Sequence, residues 1–526
     1  MEAGIKKIKL IGFICFLGVL CVGIGSIIVL AIHSEYNTLI TSYETQVITF
    51  TLYQAFLSAV ISLLIAIPIA RAIHRNNFFC KKLIISVIGI LFVLPILVVI
   101  LAVINVFGIN GIANQSISYL GFEKFSIYGL IGILTGHILI NLPFAVRLII
   151  SGWSMIPTEH VRLAKQLGFG TGAFFKHIEL PMLVKIVPAI FTIIFLYCSL
   201  TFSIALVLGG GPSATTVELA IYQTIVFEGD LAAAARLSTF QLILLTLLLT
   251  LSTKFSGRML FEQTILLKNN VRAPTTKLSH WLDYFFIVLF CIFIFLPILV
   301  IIFKGLENIT IPKADFILPT INSLIVALLA TLINLTFSLC LCLLIVNEKQ
   351  KFLRALFEVG SFSIICVSPL VFGTAFFLLL FEHIDISANA LILTGVTNGI
   401  LMIPISLAIL LPGFKRLKAR YGKLMNIIGV SKSSELAKFY IPLLKNNIKF
   451  SCALVFTLSI GDLGVIVLFS GTDMGTLPMY LYRLIGSYRM DEAYFVAMIL
   501  LIMAFVSFWL IENGNLDAFK RKKISD

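Results

Sequence analysis

The chain has 526 residues, 59% of them hydrophobic and only 12% charged, with a mean hydropathy of +1.07. That leaves too little polar surface to cover a soluble particle of this size, so the composition excludes a water-soluble enzyme or binding module and places the chain in a bilayer. The formal net charge of +14 is compatible with an acidic partner such as nucleic acid until the positions of the charges are known.

A spanning helix needs about 20 mostly apolar residues to cross ~30 Å of hydrocarbon. Such stretches lie near 10–32, 50–72, 83–107, 127–151, 182–208, 231–252, 283–303, 321–346, 360–381, 390–412, 447–470 and 493–511. The expectation is therefore an all-α polytopic membrane protein with about twelve transmembrane helices, six in each half. The first stretch has the charged front of a secretion signal. Its apolar run of about 22 residues lacks a clear small-x-small cleavage site, so it is read as a retained helix.

With the N-terminus inside, the alternate inner loops and helix ends carry 33 of the 39 lysines and arginines. This is the positive-inside distribution, and it places both termini in the cytoplasm. The basicity then reports topology, and no nucleic-acid partner is expected. The cysteines are scattered through apolar runs without CxxC or zinc-like spacing, and the histidines form no HExxH pair, so neither a metal site nor a catalytic set is expected.

Two of the predicted inner loops share a frame. In GFGTGAFFKHIELP, from Gly168 to Pro181, and GVSKSSELAKFYIP, from Gly429 to Pro442, a glycine is followed by nine residues, then an apolar residue, a spacer, an Ile or Leu and a proline. The offset is 261 residues at each end, and both copies fall between the fourth and fifth spans of their half. Leu163, Ala164 and Leu167 before the first copy, and Leu424, Met425 and Ile428 before the second, have the spacing of one apolar stripe on a short helix. The glycine supplies a turn, Thr171 or Ser433 is expected to cap a second helix, and the proline marks entry into the next span. Pro143 matches Pro404 at the same offset, and the segment 221–225 answers 481–485 at 260. The chain reads as two homologous six-helix halves, 1–275 and 276–526, related by an axis along the membrane normal, each with a surface hairpin at about 159–181 and 420–442.

These loops resemble the cytoplasmic EAA loop of ABC-importer permeases. The first copy matches with Gly168, Ile178, Leu180 and Pro181; the second matches with Gly429, Ile441 and Pro442, with Phe439 in place of the usual isoleucine. Neither copy has the Glu-Ala-Ala triplet, whose slots hold Arg162, Leu163 and Ala164, and Lys423, Leu424 and Met425. Two such loops on one fused chain resemble the iron(III) and thiamine branch. The stretches 208–225, 458–469 and 476–489 are most similar to its thiamine permeases.

The resemblance implies an inner-membrane channel subunit that is not itself an enzyme, with three partners: a homodimeric ABC ATPase on the cytoplasmic side, a periplasmic substrate-binding protein, and the lipid bilayer. It implies no cofactor in this chain, since ATP and Mg belong to the ATPase. The hairpin residues named above become the ATPase-coupling set, and thiamine or its phosphates the expected substrate, with iron(III) as the alternative in the same branch.

An ion-coupled secondary transporter is the reading from another class, and Asp462 in the eleventh span is its one candidate acid. A membrane-embedded enzyme lacks any clustered His, Asp or Cys set. Asp462 lies in the outer half of its span, where it can attract a cationic substrate, face the outer surface, or pair with Arg483 or Arg489. Its counterpart in the first half is Thr201. His137 and Asn141, four apart on span four, together with Asn105, Tyr480 and Tyr482, complete the candidate pathway set; hydrogen bonding between helices explains His137, Asn141 and Asn105 equally well.

Overall fold

A computed structural model describes residues 12–18, 41–78, 94–256, 277–308, 316–380, 383–427, 436–469 and 475–513, with isolated positions between 25 and 88. The described residues are helical and contain no strand. Eight of their helices are long and apolar enough to cross a membrane, and ten if each of two bent pairs counts as one span. Of the twelve expected spans, the first lies mostly outside the described residues. The eleventh is a helix of only 16 residues, Lys445–Ile460, that breaks at Gly461.

The helices used below are α1 (12–18), α2 (Ser42–Arg75), α3 (Ile96–Phe107), α4 (Leu130–Trp153), α5 (Thr158–Gln166), α6 (Thr171–Ser199), α7 (Val217–Gln223), α8 (Leu231–Ser256) and α9 (Lys277–Glu307). They continue with α10 (Ile317–Asn347), α11 (Lys351–Phe362), α12 (Pro369–Leu380), α13 (Ala390–Leu401), α14 (Ile403–Ile427), α15 (Lys445–Ile460), α16 (Leu477–Gly486) and α17 (Met490–Asn513). α2 starts with a capping box, in which Glu44 N donates to Thr41 Oγ1 at 3.1 Å and Thr41 N donates to Glu44 Oε2 at 2.8 Å. At 34 residues it is ~51 Å long, more than the hydrocarbon thickness, and Arg71 and Arg75 lie in its last two turns.

The ninth and tenth spans depart from straight helices. α11 and α12 meet at 94° where Ser368–Pro369 interrupts the helix, and α13 and α14 meet at 43° just before Pro404. Proline removes a donor and disfavours helical geometry in the residue before it, which accounts for both. Pro143, at the matching position of α4, stays inside a continuous helix.

The chain forms two compact units that do not follow the two sequence halves. One holds Leu39–Ala220 with Ile243–Thr310, so the first span of the second half, α9, packs with the first-half helices. The other holds Met1–Thr38, Ile221–Leu242 and Ile311–Asp526. In that unit α1 packs on second-half helices: Phe16 meets Phe357 edge to face at 4.9 Å, and Gly12 lies against Leu344.

Within each unit the same local contacts recur at fixed offsets. Thr51 Oγ1 accepts from Val217 N at 2.8 Å, and Ser323 Oγ accepts from Leu477 N at 2.8 Å, pinning the starts of α7 and α16 to α2 and α10. A π-helical turn occupies Phe175–Glu179 in one hairpin and Leu436–Tyr440 in the other, again 261 apart.

Candidate functional site: the first hairpin and the polar breaks

The first hairpin is α5, a glycine turn and α6. After Gln166 the chain closes with Gly168 N donating to Lys165 O at 3.1 Å and Phe169 N donating to Ala164 O at 3.0 Å, the paired bonds of a Schellman cap. Gly168 stands at φ +69°, a left-handed conformation in which a side chain is strained although the space around it is open. Thr171 does not cap the second helix: Gly170 occupies the cap position and makes no side-chain bond, while Thr171 is the first helical residue. Its carbonyl, instead of its hydroxyl, is engaged, accepting from Arg71 Nη2 at 2.9 Å.

The apolar stripe of α5 divides. Val161 and Ala164 are buried against the protein, whereas Leu163 and Leu167 are 55% and 63% exposed and, one turn apart, form an outward apolar pair. Ile178 is half-buried, and Leu180 and Pro181 are exposed at the start of the following span. Glu159, in the exposed first turn of α5, has its carboxyl held below the usual range by its own backbone N–H and the Thr158 hydroxyl. In the second hairpin Leu424 is exposed, as are Ile441 and Pro442. Ile428 and Gly429, and the side chain of Met425, lie outside the described residues.

What seats the first hairpin is a set of residues the sequence did not single out. Arg71, near the end of α2, pairs with the buried Glu179 at 2.7 Å and lies 4.7 Å over the Phe175 ring. Trp153 Nε1, at the end of α4, donates to Glu179 O at 3.1 Å. The one sequence signal was that Glu179 is the sole acid in its 14-residue frame. At offset 261 the second hairpin has Phe414 and Tyr440 in the places of Trp153 and Glu179, and their rings stack at 4.4 Å. Gly152 and Gly413 allow the close approach in both cases: a Cβ on either would lie 2.5 Å from Ile186 or 2.7 Å from Leu444.

The pathway candidates separate into two groups. His137 and Asn141 are fully buried between α2, α4 and α6. His137 Nδ1 lies 3.0 Å from Ser58 Oγ and Nε2 lies 2.7 Å from Thr201 Oγ1. Because the Thr201 hydroxyl donates to Cys198 O at 3.0 Å, Nε2 of the imidazole is a donor to Thr201 Oγ1. Asn141 Nδ2 donates to Cys198 Sγ at 3.1 Å. Asn105 receives Lys304 Nζ at 2.8 Å. These three are bonds between helices.

Asp462 is different. It is half-buried where α15 has ended, and its Oδ2 accepts from Val465 N at 3.3 Å, capping the short turn that restarts the helix. Arg489, one of its suggested partners, takes Glu492 instead. Asn398, which matches His137 at offset 261, donates to Ser459 Oγ at 3.3 Å, and Ser459 matches Cys198. Tyr480 and Tyr482 are half-buried in α16. Tyr222 and Tyr482 match at offset 260; burial pushes both phenols up, and Tyr482 adds to the rise at Tyr222.

Long apolar helices, two bent spans and an interrupted eleventh define a polytopic α-helical membrane protein. No family model matches the chain. Over 482 residues it is 35% identical to the thiamine transport system permease protein ThiP of Escherichia coli, covering 90% of this chain and 89% of the relative. It is 33% identical over 473 residues to ThiP of Brucella abortus, covering 87% and 86%, and 30% identical over 481 residues to ThiP of Haemophilus influenzae, covering 90% and 89%. The chain belongs to the thiamine transport system permease family.

Proposed function

We propose that the chain is the membrane-spanning permease subunit of an ATP-driven importer that moves thiamine or its phosphates across the bacterial inner membrane. The observation that carries this is the identity of 30–35% to thiamine permeases over about nine-tenths of both chains. The same relatives favour thiamine over the iron(III) alternative and leave nothing to support an ion-coupled transporter. A periplasmic binding protein delivers the substrate, and a homodimeric ABC ATPase docks on the two hairpins, supplying ATP and Mg chemistry that this chain does not perform. The 33 to 6 division of basic charge supports cytoplasmic termini and cytoplasmic hairpins.

The chain's own work is mechanical. Leu163 and Leu167 offer the ATPase an apolar contact, and Gly168, Ile178, Leu180 and Pro181 fix the hairpin to the span it moves. Leu424, Met425, Ile428, Gly429, Ile441 and Pro442 serve the second hairpin. ATP-driven closure displaces the hairpins as levers and exchanges the inward and outward openings. On the outer side, Asp462 with Tyr480 and Tyr482 gives the thiazolium cation of thiamine a carboxylate and aromatic faces to pass. Cells that cannot make thiamine and lack this chain should fail to accumulate labelled thiamine at scarce supply while ferric uptake continues. Loss of ferric uptake with thiamine uptake spared would overturn the substrate.

A further inference from the structure

The end of α2 carries two arginines one turn apart, and each holds a different element. Arg71 grips the hairpin through Glu179, the Thr171 carbonyl and the Phe175 ring. Arg75 grips α9: its Nε and Nη2 reach the two carboxylate oxygens of Asp283 at 2.5 Å each, and Nη2 also donates to Ser279 O at 3.1 Å. Both side chains of the Arg75–Asp283 pair are almost fully buried, at 4% and 6% exposure. Asn76 Nδ2 donates to Asp283 Oδ2 at 2.6 Å, and Asn76 Oδ1 lies 2.9 Å from His280 Nδ1. Near the other end of α9, Lys304 donates to Asn105 of α3. Asp283 and Lys304 are ~31 Å apart along the helix, about the hydrocarbon thickness, so α9 is fastened to the first-half helices at both membrane faces.

A two-point guanidinium–carboxylate fork fixes orientation as well as distance, which a single-point contact does not. The two arginines share one helical turn, so neither partner can shift without loading the other. At the offset of 272 set by Thr51 and Ser323, the second half has Leu343 and Asn347 in these places, and Asn347 instead accepts from Lys418 of α14 at 2.9 Å. Among the described residues the arrangement occurs once and is not a by-product of the repeat.

We propose that the last turn of α2 is the joint that carries hairpin movement to α9, with Arg71, Arg75, Asn76 and Asp283 as positioning residues for coupled transport. This rests on the importer reading above. Failure of that reading shows separately, as absence of thiamine-stimulated ATP hydrolysis in the wild-type complex.

The test uses the complete complex in proteoliposomes with thiamine-loaded binding protein, and measures labelled thiamine uptake and ATP hydrolysis together. The variants are Asp283→Asn and the double change Arg75→Gln with Asp283→Asn, which leaves no buried charge unpaired. Hydrolysis should stay within about twofold of wild type while uptake falls about tenfold, so that transport per ATP is lost. A double variant with an unchanged ratio of uptake to hydrolysis overturns the joint. So does one that no longer accumulates in the membrane, because the pair then serves stability alone.

Discussion

The two matched loops share a π-helical turn among their described residues and differ in what packs against it. Both carry a π-helical turn at matched positions and a glycine where the preceding helix meets the next span, yet one is seated by Arg71, Glu179 and Trp153 and the other by stacked Phe414 and Tyr440. The polar break in the following span differs in the same way, with His137 and Thr201 in one half where the other has Asn398 and Asp462. The π-helical turn is what the two loops preserve, while the spans before them differ in backbone, straight at Pro143 and bent by 43° just before Pro404. The chemistry at each seat is free to vary provided that volume and polar pairing are satisfied, and that freedom gives the two hairpins different sensitivities.

The largest difference should appear on removing the ionic seat. Arg71→Met leaves Glu179 buried without its partner and should cost about 3–5 kcal/mol in detergent unfolding, whereas adding Glu179→Gln should recover most of that loss. Phe414→Leu at the aromatic seat should cost only about 1–2 kcal/mol. Equal costs at the two seats would remove the contrast.

Where the halves agree, so should the variants. Thr51→Val and Ser323→Ala each leave one buried backbone N–H, of Val217 or Leu477, without an acceptor, at about 1–3 kcal/mol apiece. A cost confined to one of them would show that α7 and α16 are not held alike.

The smallest effect on stability belongs to Asp462→Asn. Asparagine caps a helix as well as aspartate does, so unfolding should move by no more than ~0.5 kcal/mol. Thiamine uptake should still fall severalfold, through loss of the negative charge. Unchanged uptake would reduce Asp462 to a cap.

The all-helical, multi-span architecture was legible because it rests on local signals: apolar length and the spacing of Gly168 and Pro181. The bends at Pro369 and Met402 were missed because a hydropathy average reads through an interruption of one or two residues, although Pro369 and Pro404 were in plain view. The Thr171 cap failed because Gly170 already supplied the extended cap conformation. Arg75 and Asp283 could not be paired from sequence. They are 208 residues apart, and arginine near a span end is first read as a topology marker. The outward face of Leu163 and Leu167 was likewise hidden, since periodicity defines a stripe without saying which neighbour covers it. His137 and Asn141 were correctly placed on one face, but that face turned out to be filled by Ser58, Cys198 and Thr201.

The exchange of first spans also sets an order of assembly on the ribosome. The unit built on residues 39–220 gains α9 only after the chain has been made through Thr310, so its helices wait in the membrane while the entire intervening segment is synthesised. The N-terminal helix waits longer, because the helices it packs against begin at Ile317. Neither half is self-sufficient as it emerges. A nascent chain stalled near residue 275 would hold helices whose partners do not yet exist, a state in which membrane chaperones and proteases have their main opportunity to act.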